Sequence, residues 1–295
     1  MPTPPAPTVT RFAPSPTGLL HLGHAYSAWF AWAEARRAGA DGRFLIRIED
    51  IDRGRCRPEF EMAIQEDLAW LGFTWETPVR RQSDHMDDYA QALDDLDSRG
   101  LIYPCFCTRG EIAREIEAAG HAPHDIPQGP DGPLYPGTCR HLDPSEAKER
   151  IAAGDAHALR LKTDVASAQA GPLTWTDLGR GGQKAMPEIF GDVVLARKDT
   201  PTSYHLSVTL DDHLQGVTCV TRGEDLFAAS HLHRLLQAML GLDTPVYRHH
   251  GLLTGPDGKR FAKRDKSETL RSLREAGRTP GEVWALAGIA AGDRP

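Results

Sequence analysis

The sequence has no long apolar run, few cysteines and no excess of positive charge, and each absence excludes a class of protein. A membrane-spanning helix needs about 20 consecutive apolar residues, and no run in the 295 residues approaches that length. Five cysteines, an odd number without a secretion signal, argue against a disulfide framework. We therefore expect a cytoplasmic protein with no membrane partner, and a proline-rich, disordered leader at residues 1–8.

The charge balance argues mildly against general nucleic-acid binding. Lys and Arg number 34 against 41 Asp and Glu, which gives a net charge of -7. General nucleic-acid binders are usually basic, although a local basic face can still hold RNA. The 40% hydrophobic content is that of an ordinary globular protein, and the chain is long enough to bury a sizeable core.

The first 71 residues predict a strand–helix–strand–helix unit. Residues 9–14 form a short β-like run that ends in a Pro-Ser-Pro-Thr-Gly turn. A helix is predicted at residues 22–38, a second strand at 43–48 and an amphipathic helix at 58–71. Such a βαβ unit implies a parallel sheet, and ligands of such sheets bind at the carboxyl ends of the strands.

The pattern changes between residues 103 and 191. Gly and Pro concentrate at residues 120–137, helical periodicity is weak, and three cysteines lie in this region, which we interpret as an inserted subdomain. Apolar segments at 193–196 and 204–210 are predicted as strands that complete the sheet after the insertion. They are followed by a possible strand at 216–221 and a helix at 228–240.

The segment His21-Leu22-Gly23-His24 lies at the start of the first predicted helix. A helix N-terminus presents unpaired N–H groups and partial positive charge, both suited to a triphosphate. Two histidines three residues apart share a helix face, so both can donate to one phosphate chain. Gly23 lets a flat base approach the backbone. The plain alternative is two surface histidines at a helix start.

Four blocks of sequence together resemble the glutamyl-tRNA synthetases of class I. RFAPSPTG at residues 11–18 and HLGH at 21–24 look like the family's opening and its "HIGH" motif. RIEDID at 47–52 resembles the next block, and RFAKR at 260–264 matches the position of the "KMSKS" loop. The blocks occur in the family's order over most of the chain.

The resemblance implies an α/β fold. A class I synthetase Rossmann-type parallel sheet would carry an inserted zinc-containing subdomain and a short C-terminal helical segment. We expect a leader at residues 1–8 and the first half of the Rossmann-type domain at 9–102. The inserted subdomain with the zinc site would follow at 103–191 and the second half of the domain at 192–250. The KMSKS-like loop and the helical segment would occupy 251–295.

The resemblance also implies that the chain binds ATP together with Mg²⁺. Lys263 keeps the lysine expected to hold the developing charge on pyrophosphate, and charge placed there stabilises the transition state. Arg260 replaces the first lysine of the loop and Ala262 its serine, so one hydroxyl is lost. Taken alone, residues 259–266 are more typical of a solvated basic loop, but their position after the first motif favours the ATP-binding loop. The expected catalytic residues are His21, His24 and Lys263, and the expected ATP-binding residues are His21, Gly23, His24, Arg260 and Lys263.

For L-glutamate, the resemblance implies a pocket with cations at one end and an anion at the other. Arg11 and Arg222 are the expected carboxylate clamps, since a planar guanidinium suits bidentate recognition. Glu49 matches the acidic residue expected near the α-ammonium group. For each residue a surface ion pair or packed side chain is the alternative. The expected lining residues are Ala13, Ser15 and Tyr204.

Cys105, Cys107 and Cys139 supply three thiolates for a zinc site, which usually has four ligands in a tetrahedron. Reduced core thiols are the alternative. In short glutamyl-tRNA-synthetase-like proteins this pattern resembles a zinc site whose fourth ligand is a tyrosine, here Tyr135. His141 is the main competitor, with His121 and His124 behind it. We expect one structural zinc ion per chain.

In length, the chain resembles the short members of the family, which lack a helical anticodon-binding region. This resemblance implies glutamate activation and transfer to queuosine in the anticodon loop of tRNA(Asp). Basic residues near the insertion, with Arg271, Arg274 and Arg278, could contact phosphate or form a solvated helix face. The alternatives are a truncated synthetase that charges the 3′ end of its own tRNA, a small-molecule adenylyl- or nucleotidyltransferase, and a non-catalytic regulator.

Overall fold

The computed structural model describes residues 7–118, 128–253 and 268–295. Within them lie twelve β-strands and ten α-helices. The strands are β1 Val9–Phe12, β2 Arg43–Ile48, β3 Arg80–Arg81, β4 Ile102–Cys105, β5 Gln128–Gly129, β6 Gly132–Pro133, β7 Ala158–Leu161, β8 Thr174–Asp177, β9 Gly181–Lys184, β10 Val194–Arg197, β11 Cys219–Gly223 and β12 Val246–His250. The helices are α1 Leu22–Arg37, α2 Pro58–Trp70, α3 Met86–Ser98, α4 Arg109–Ala118, α5 Pro144–Ala152, α6 Thr163–Ala170, α7 Tyr204–Leu214, α8 Ala229–Leu240, α9 Leu270–Glu275 and α10 Pro280–Leu286.

The centre of the fold is a largely parallel arrangement of strands. β1 pairs in parallel with β2, and β2 with β3. β11 pairs in parallel with β12, and β12 with β8, which turns back into β9 as a hairpin. The two groups meet where the backbone N–H of Thr218 donates to the carbonyl oxygen of Val9 at 3.0 Å. The predicted α/β class with a parallel sheet is confirmed. None of the described helices is both long and apolar enough to cross a membrane.

The first βαβ unit lies close to its predicted bounds because its signals are local. α1 begins at Leu22 after a cap formed by His21, and β2 occupies the predicted residues 43–48. α2 starts at Pro58, where the fixed φ of proline suits the first helical position. Capping and apolar periodicity are thus sufficient to define this part of the chain.

A second, antiparallel sheet consists of β4, β7 and β10. The prediction that residues 193–196 complete the parallel sheet is wrong, since β10 pairs with β7 instead. The β8–β9 hairpin, which falls within the predicted insertion, joins the parallel strands through β12. Strand pairing between distant segments decides these positions, and a short apolar run does not reveal its partner. The proposed domain boundaries remain a prediction.

The second strand predicted after the insertion, at residues 204–210, is the helix α7. Leu206, Val208 and Leu210 alternate with polar residues, which is the pattern of a half-buried strand. The hydroxyl of Ser203 caps the helix by accepting from the backbone N–H of Leu206 at 3.3 Å. Every residue from 206 to 212 is buried, so the alternation carries no information about which face meets the core.

The C-terminal helices pack against the βαβ unit. The indole of Trp284 in α10 is buried beside Phe73 and donates to the carbonyl oxygen of Leu71 at 3.2 Å. The arginines for which phosphate contact was considered are engaged with carboxylates of the chain, which favours the alternative of a helix face with internal ion pairs. The pairs are Arg271 with Glu66, Arg274 with Glu66 and Asp67, and Arg278 with Glu282.

A buried ionic network joins β1, β2 and α7. Arg47 is fully buried, and its Nη1 lies 2.8 Å from Oδ1 of Asp212 while its Nε lies 3.8 Å from Oδ2 of Asp211. Arg11 donates from Nε to the same Asp212 oxygen at 2.8 Å. Burial raises the pKa of Asp212, but the two guanidinium groups hold it below its ordinary value. Asp211 also accepts hydrogen bonds from Arg80, Gln82 and Tyr89.

Replacing Asp212 by asparagine should destabilise the fold strongly. The change leaves Arg11 and Arg47 without their shared counter-charge, and breaking a buried ion pair costs about 3–5 kcal/mol. Urea denaturation should show this loss in the free energy of unfolding. The control is Glu76→Gln, which removes the exposed partner of Arg43, a change worth at most about 1 kcal/mol. Equal losses in the two variants would contradict the role given to the network.

Candidate active site

A cavity of about 520 Å³ opens at the carboxyl ends of β1 and β11 and beside the start of α1. Its walls come from the turn after β1, the residue that follows β2, the first residue of α7 and the end of β11. The structure brings together, on this one cavity, most of the residues predicted to bind ATP and glutamate. They are Arg11, Ala13, His21, Gly23, His24, Glu49, Tyr204 and Arg222.

One predicted site residue lies elsewhere, and two others cannot be placed. Ser15 lines a neighbouring cavity and not the first one. Arg260 and Lys263 fall outside the described residues. The chain on either side of their segment is close to the phosphate motif: Leu253 lines the first cavity, and the backbone N–H of Leu270 donates to the carbonyl oxygen of Leu20 at 2.8 Å.

The two histidines of the HLGH segment are oriented by backbone hydrogen bonds. Nδ1 of His21 accepts from the backbone N–H of Gly23 at 3.1 Å, and Nδ1 of His24 accepts from the backbone N–H of His21 at 3.2 Å. A neutral imidazole that accepts at Nδ1 carries its proton at Nε2. The reciprocal cap therefore makes both Nε2 atoms hydrogen-bond donors at the N-terminus of α1.

The packing of the cap leaves little room for a side chain at Gly23. A Cβ atom at this position would lie 3.0 Å from Cε1 and 3.2 Å from Nδ1 of His21. Any side chain would press on the imidazole that accepts the Gly23 N–H. The glycine thus protects the orientation of His21, in addition to the close approach of a ligand predicted from the sequence.

Arg222 is a buried cation with neutral hydrogen-bond partners. It is 6% exposed, and it donates to Ser230 Oγ at 2.6 Å, to His233 Nδ1 at 3.1 Å and to His249 Nε2 at 3.2 Å. Within the described part of the chain no carboxylate pairs with it, whereas the other two buried arginines, Arg11 and Arg47, both pair with Asp212. Its positive charge is therefore available to an anion in the cavity.

Arg11 forms more hydrogen bonds within the protein than the sequence suggested. It makes two contacts with Asp212, and its Nη1 donates to the carbonyl oxygen of Thr221 at 3.0 Å. A guanidinium has five N–H donors, so two remain for a ligand. Because Asp212 offsets its charge, Arg11 offers directed hydrogen bonds rather than an uncompensated cation.

Glu49 and Tyr204, together with Arg11 and Arg222, form the polar wall of the cavity. Glu49 accepts from Nη2 of Arg47 at 3.1 Å, and burial raises the pKa of its carboxyl group despite Arg47 and Arg11. A carboxylate in that setting is stabilised further by a cationic ligand group. Burial also raises the pKa of Tyr204, so its hydroxyl stays protonated at neutral pH and can donate.

A second cavity of about 940 Å³ adjoins the first. It extends from Ser15 toward the antiparallel sheet, where Arg160 and Cys107 line it. His24, Glu49 and Tyr204 line both cavities, so the two spaces meet at the polar wall. This arrangement can hold two reactants side by side, with their reacting groups near these shared residues.

The predicted cysteine cluster is present. The sulfur atoms of Cys105, Cys107 and Cys139 all lie within 4.8 Å of one another, and those of Cys107 and Cys139 are 3.4 Å apart. The hydroxyl of Tyr135 lies 3.3 Å from Sγ of Cys105 and 3.5 Å from Sγ of Cys107. Tetrahedral zinc with Zn–S bonds of about 2.3 Å needs ligand atoms roughly 3.3–3.8 Å apart, so this donor set fits a metal ion.

The competing histidine ligands are not part of this cluster. His141 is exposed and is absent from the group of metal-ligating side chains found among the described residues. His121 and His124 lie outside those residues. The cluster therefore supports Tyr135 over His141 as the fourth donor.

The prediction from sequence missed the side chains that hold Arg222. Ser230 and His233 belong to α8, and His249 to β12, where its Nδ1 lies 2.6 Å from Oδ2 of Asp177. A weak signal was present, because these histidines lie within short segments that also contain apolar residues, HLHRLL and VYRHH. A histidine at a buried position normally has a polar partner.

Comparisons with known proteins identify the family of the chain. The family model described as tRNA synthetases class I (E and Q), catalytic domain, matches residues 7–285. A glutamyl-Q tRNA(Asp) synthetase of Rhodobacter capsulatus is 50% identical over 95% of this chain and 100% of its own length. One from Symbiobacterium thermophilum is 42% identical over 92% and 83%.

A solved glutamate-tRNA synthetase of Elizabethkingia anophelis superposes with a TM-score of 0.79 at 28% identity, over 96% of this chain and 61% of that one. The family match covers both the cavity and the cysteine cluster. The chain belongs to the class I (E and Q) tRNA synthetase family.

Proposed function

We propose that this protein activates L-glutamate with ATP and transfers the glutamyl group to queuosine in the anticodon loop of tRNA(Asp). The observation that carries the choice of glutamate is Arg222, a buried guanidinium without a carboxylate partner among the described residues. It lies on a cavity that also holds the carboxylate of Glu49, whose side chain is only 10% exposed. The choice of acceptor is supported by the relatives that share nearly the whole length of the chain and are named for that reaction.

Glutamate fits the charges of the first cavity. A substrate carboxylate would pair with Arg222 and receive further hydrogen bonds from Arg11 and the Tyr204 hydroxyl. Glu49 would accept from the α-ammonium group. Ala13 contributes a small apolar surface beside them. A guanidinium recognises a planar carboxylate in a bidentate manner that a neutral amide cannot match.

The same cavity suits ATP at the start of α1. The Nε2–H groups of His21 and His24 would donate to the phosphates, aided by the backbone N–H groups and partial charge of the helix N-terminus. Mg²⁺ would accompany the phosphates and offset their charge. The glutamate α-carboxylate attacks the α-phosphorus, pyrophosphate leaves, and Arg260 and Lys263 are the proposed groups that receive its charge.

The second cavity would admit the acceptor nucleoside. A hydroxyl of the cyclopentenediol attacks the glutamyl carbonyl of the adenylate, an ester forms, and AMP leaves with the bonding electrons of the anhydride. Glu49, Tyr204 and His24 line both cavities, so the diol can reach the adenylate without leaving the protein. Ser15 lies on this side of the wall.

Cys105, Cys107, Cys139 and Tyr135 would hold one zinc ion. The cluster joins β4, which carries Cys105, to the turn that carries Cys139. The ion would hold this part of the antiparallel sheet in place beside the second cavity, which Cys107 lines. Its role is structural, because all four positions are filled by side chains.

Transfer of labelled glutamate tests the proposed function. Label should appear on tRNA(Asp) that contains queuosine and not on the same tRNA lacking it, since only the modified base offers the diol. The measurement is acid-precipitable radioactivity with ATP present, with tRNA(Glu) as the control substrate. Equal label on both forms of tRNA(Asp), or label on tRNA(Glu) alone, would show a conventional synthetase.

Substituting Arg222 by alanine should raise the KM for glutamate about 30- to 1,000-fold, because a buried charge pair of this kind is worth roughly 2–4 kcal/mol. The KM for ATP should change little. Glutamate-dependent exchange of ATP with pyrophosphate, which we expect to occur without tRNA, measures both constants. Arg43→Ala, at the opposite, amino end of β2, is the matched control and should behave as wild type. A parallel rise in both KM values would contradict the assignment.

Metal analysis of the purified protein should find about one zinc ion per chain. Cys107→Ser and Cys139→Ser should lose it, and Tyr135→Phe should bind it more weakly because one ligand atom is removed. Cys56→Ser and His141→Ala are the controls and should keep full occupancy. A folded, active preparation without metal would refute the zinc site, and loss of zinc in His141→Ala would reassign its fourth ligand.

A further inference from the structure

The guanidinium of Arg222 is fixed by three contacts, one on each nitrogen. Nε donates to Nε2 of His249 at 3.2 Å, Nη1 to Nδ1 of His233 at 3.1 Å, and Nη2 to Oγ of Ser230 at 2.6 Å. The group also lies over the ring of Tyr247, with Cζ at 5.3 Å from its centroid. These contacts hold the plane of the guanidinium as well as its position.

The contacts determine the tautomers of both histidines, since arginine can only donate. Nε2 of His249 must therefore be unprotonated, and its Nδ1–H donates to the Asp177 carboxylate at 2.6 Å. On the other side, Nδ1 of His233 must be unprotonated. Its Nε2–H then donates to Nδ1 of His205 at 3.1 Å, and His205 donates from Nε2 to Oδ2 of Asp131 at 3.3 Å.

Both histidines are neutral acceptors in this arrangement. Burial lowers the pKa of His249 to about 4, although Asp177 acts in the opposite direction. Burial and the adjacent Arg222 likewise place the pKa of His233 well below its ordinary value. A proton on either ring would set a second cation, and a donor, against the guanidinium.

We infer that His249 and His233 are positioning residues for glutamate recognition. This rests on the proposed role of Arg222. Each histidine satisfies an N–H of the guanidinium and leaves its charge uncompensated, whereas a carboxylate in the same place would take that charge, as Asp212 does for Arg11. The residue type is thus part of the specificity: an oriented cation is held ready for an anionic group.

The two nitrogens of each histidine can be tested separately. The amide oxygen of asparagine lies near the position of Nδ1, and that of glutamine near the position of Nε2. His233→Asn and His249→Gln therefore keep the acceptor that Arg222 uses, while His233→Gln and His249→Asn misplace it. The four variants form two matched pairs of similar size and polarity.

Glutamate-dependent exchange of ATP with pyrophosphate should separate the pairs. The KM for glutamate should stay within about threefold of wild type in His233→Asn and His249→Gln. It should rise about tenfold or more in His233→Gln and His249→Asn, which is the loss expected when a charged donor loses its acceptor. The KM for ATP should not change. Similar KM values within each pair would overturn the inference.

A second measurement does not depend on activity or on folded variants. Long-range proton–nitrogen correlation spectra of wild-type protein at pH 7 distinguish the two neutral tautomers of each histidine. We expect Nδ1–H for His249 and Nε2–H for His233. Protonated rings, or the opposite tautomer in either residue, would overturn the inference. The tautomers could be as expected while the Arg222→Ala protein activates glutamate normally. That result would refute the proposed role of Arg222 in binding glutamate, but the histidines would still hold its guanidinium as described.

Discussion

The distribution of charge over the cavity follows from the burial of Arg47. A guanidinium at the centre of a sheet with no solvent contact requires nearby anions, and α7 supplies them as the adjacent Asp211 and Asp212. Asp212 also reaches Arg11. Once these acids are engaged by β1 and β2, they are not available to Arg222, with which none of the described carboxylates forms an ion pair. The polarity of the site is thus a consequence of how the sheet is held together.

The helix α7 connects this network to the reacting groups. Its acids face the sheet near its end, while Tyr204 at its first residue lines both cavities and His205 reaches the hairpin of β5 and β6 through Asp131. A strand running on through these residues, beyond the one predicted at 204–210, would have put Asp211 and Asp212 on opposite faces. In the helix, Asp211 and Asp212 are both buried, so two adjacent acids can take part in one ionic network.

Sequence reasoning succeeded where the signal is local or chemically restricted. The start of α1 follows from HLGH, and the cysteine cluster follows from the few side chains that bind zinc. It failed where distant segments decide. Nothing near Val194 says that β10 pairs with β7, and nothing near Arg222 says that His249 will lie beside it. The second ATP loop, with Lys263, stays a prediction from resemblance.

An uncompensated buried cation is unfavourable for the free protein, so its presence needs a reason. The three neutral acceptors reduce the cost, because every nitrogen of Arg222 has a partner even though no carboxylate among the described residues pairs with its charge. Within that part of the chain, the positive charge of Arg222 remains unpaired until a substrate carboxylate binds to it. On the proposed function, glutamine would fill the same shape without supplying that charge. Selectivity then arises because the substrate provides the carboxylate that no described residue places against Arg222.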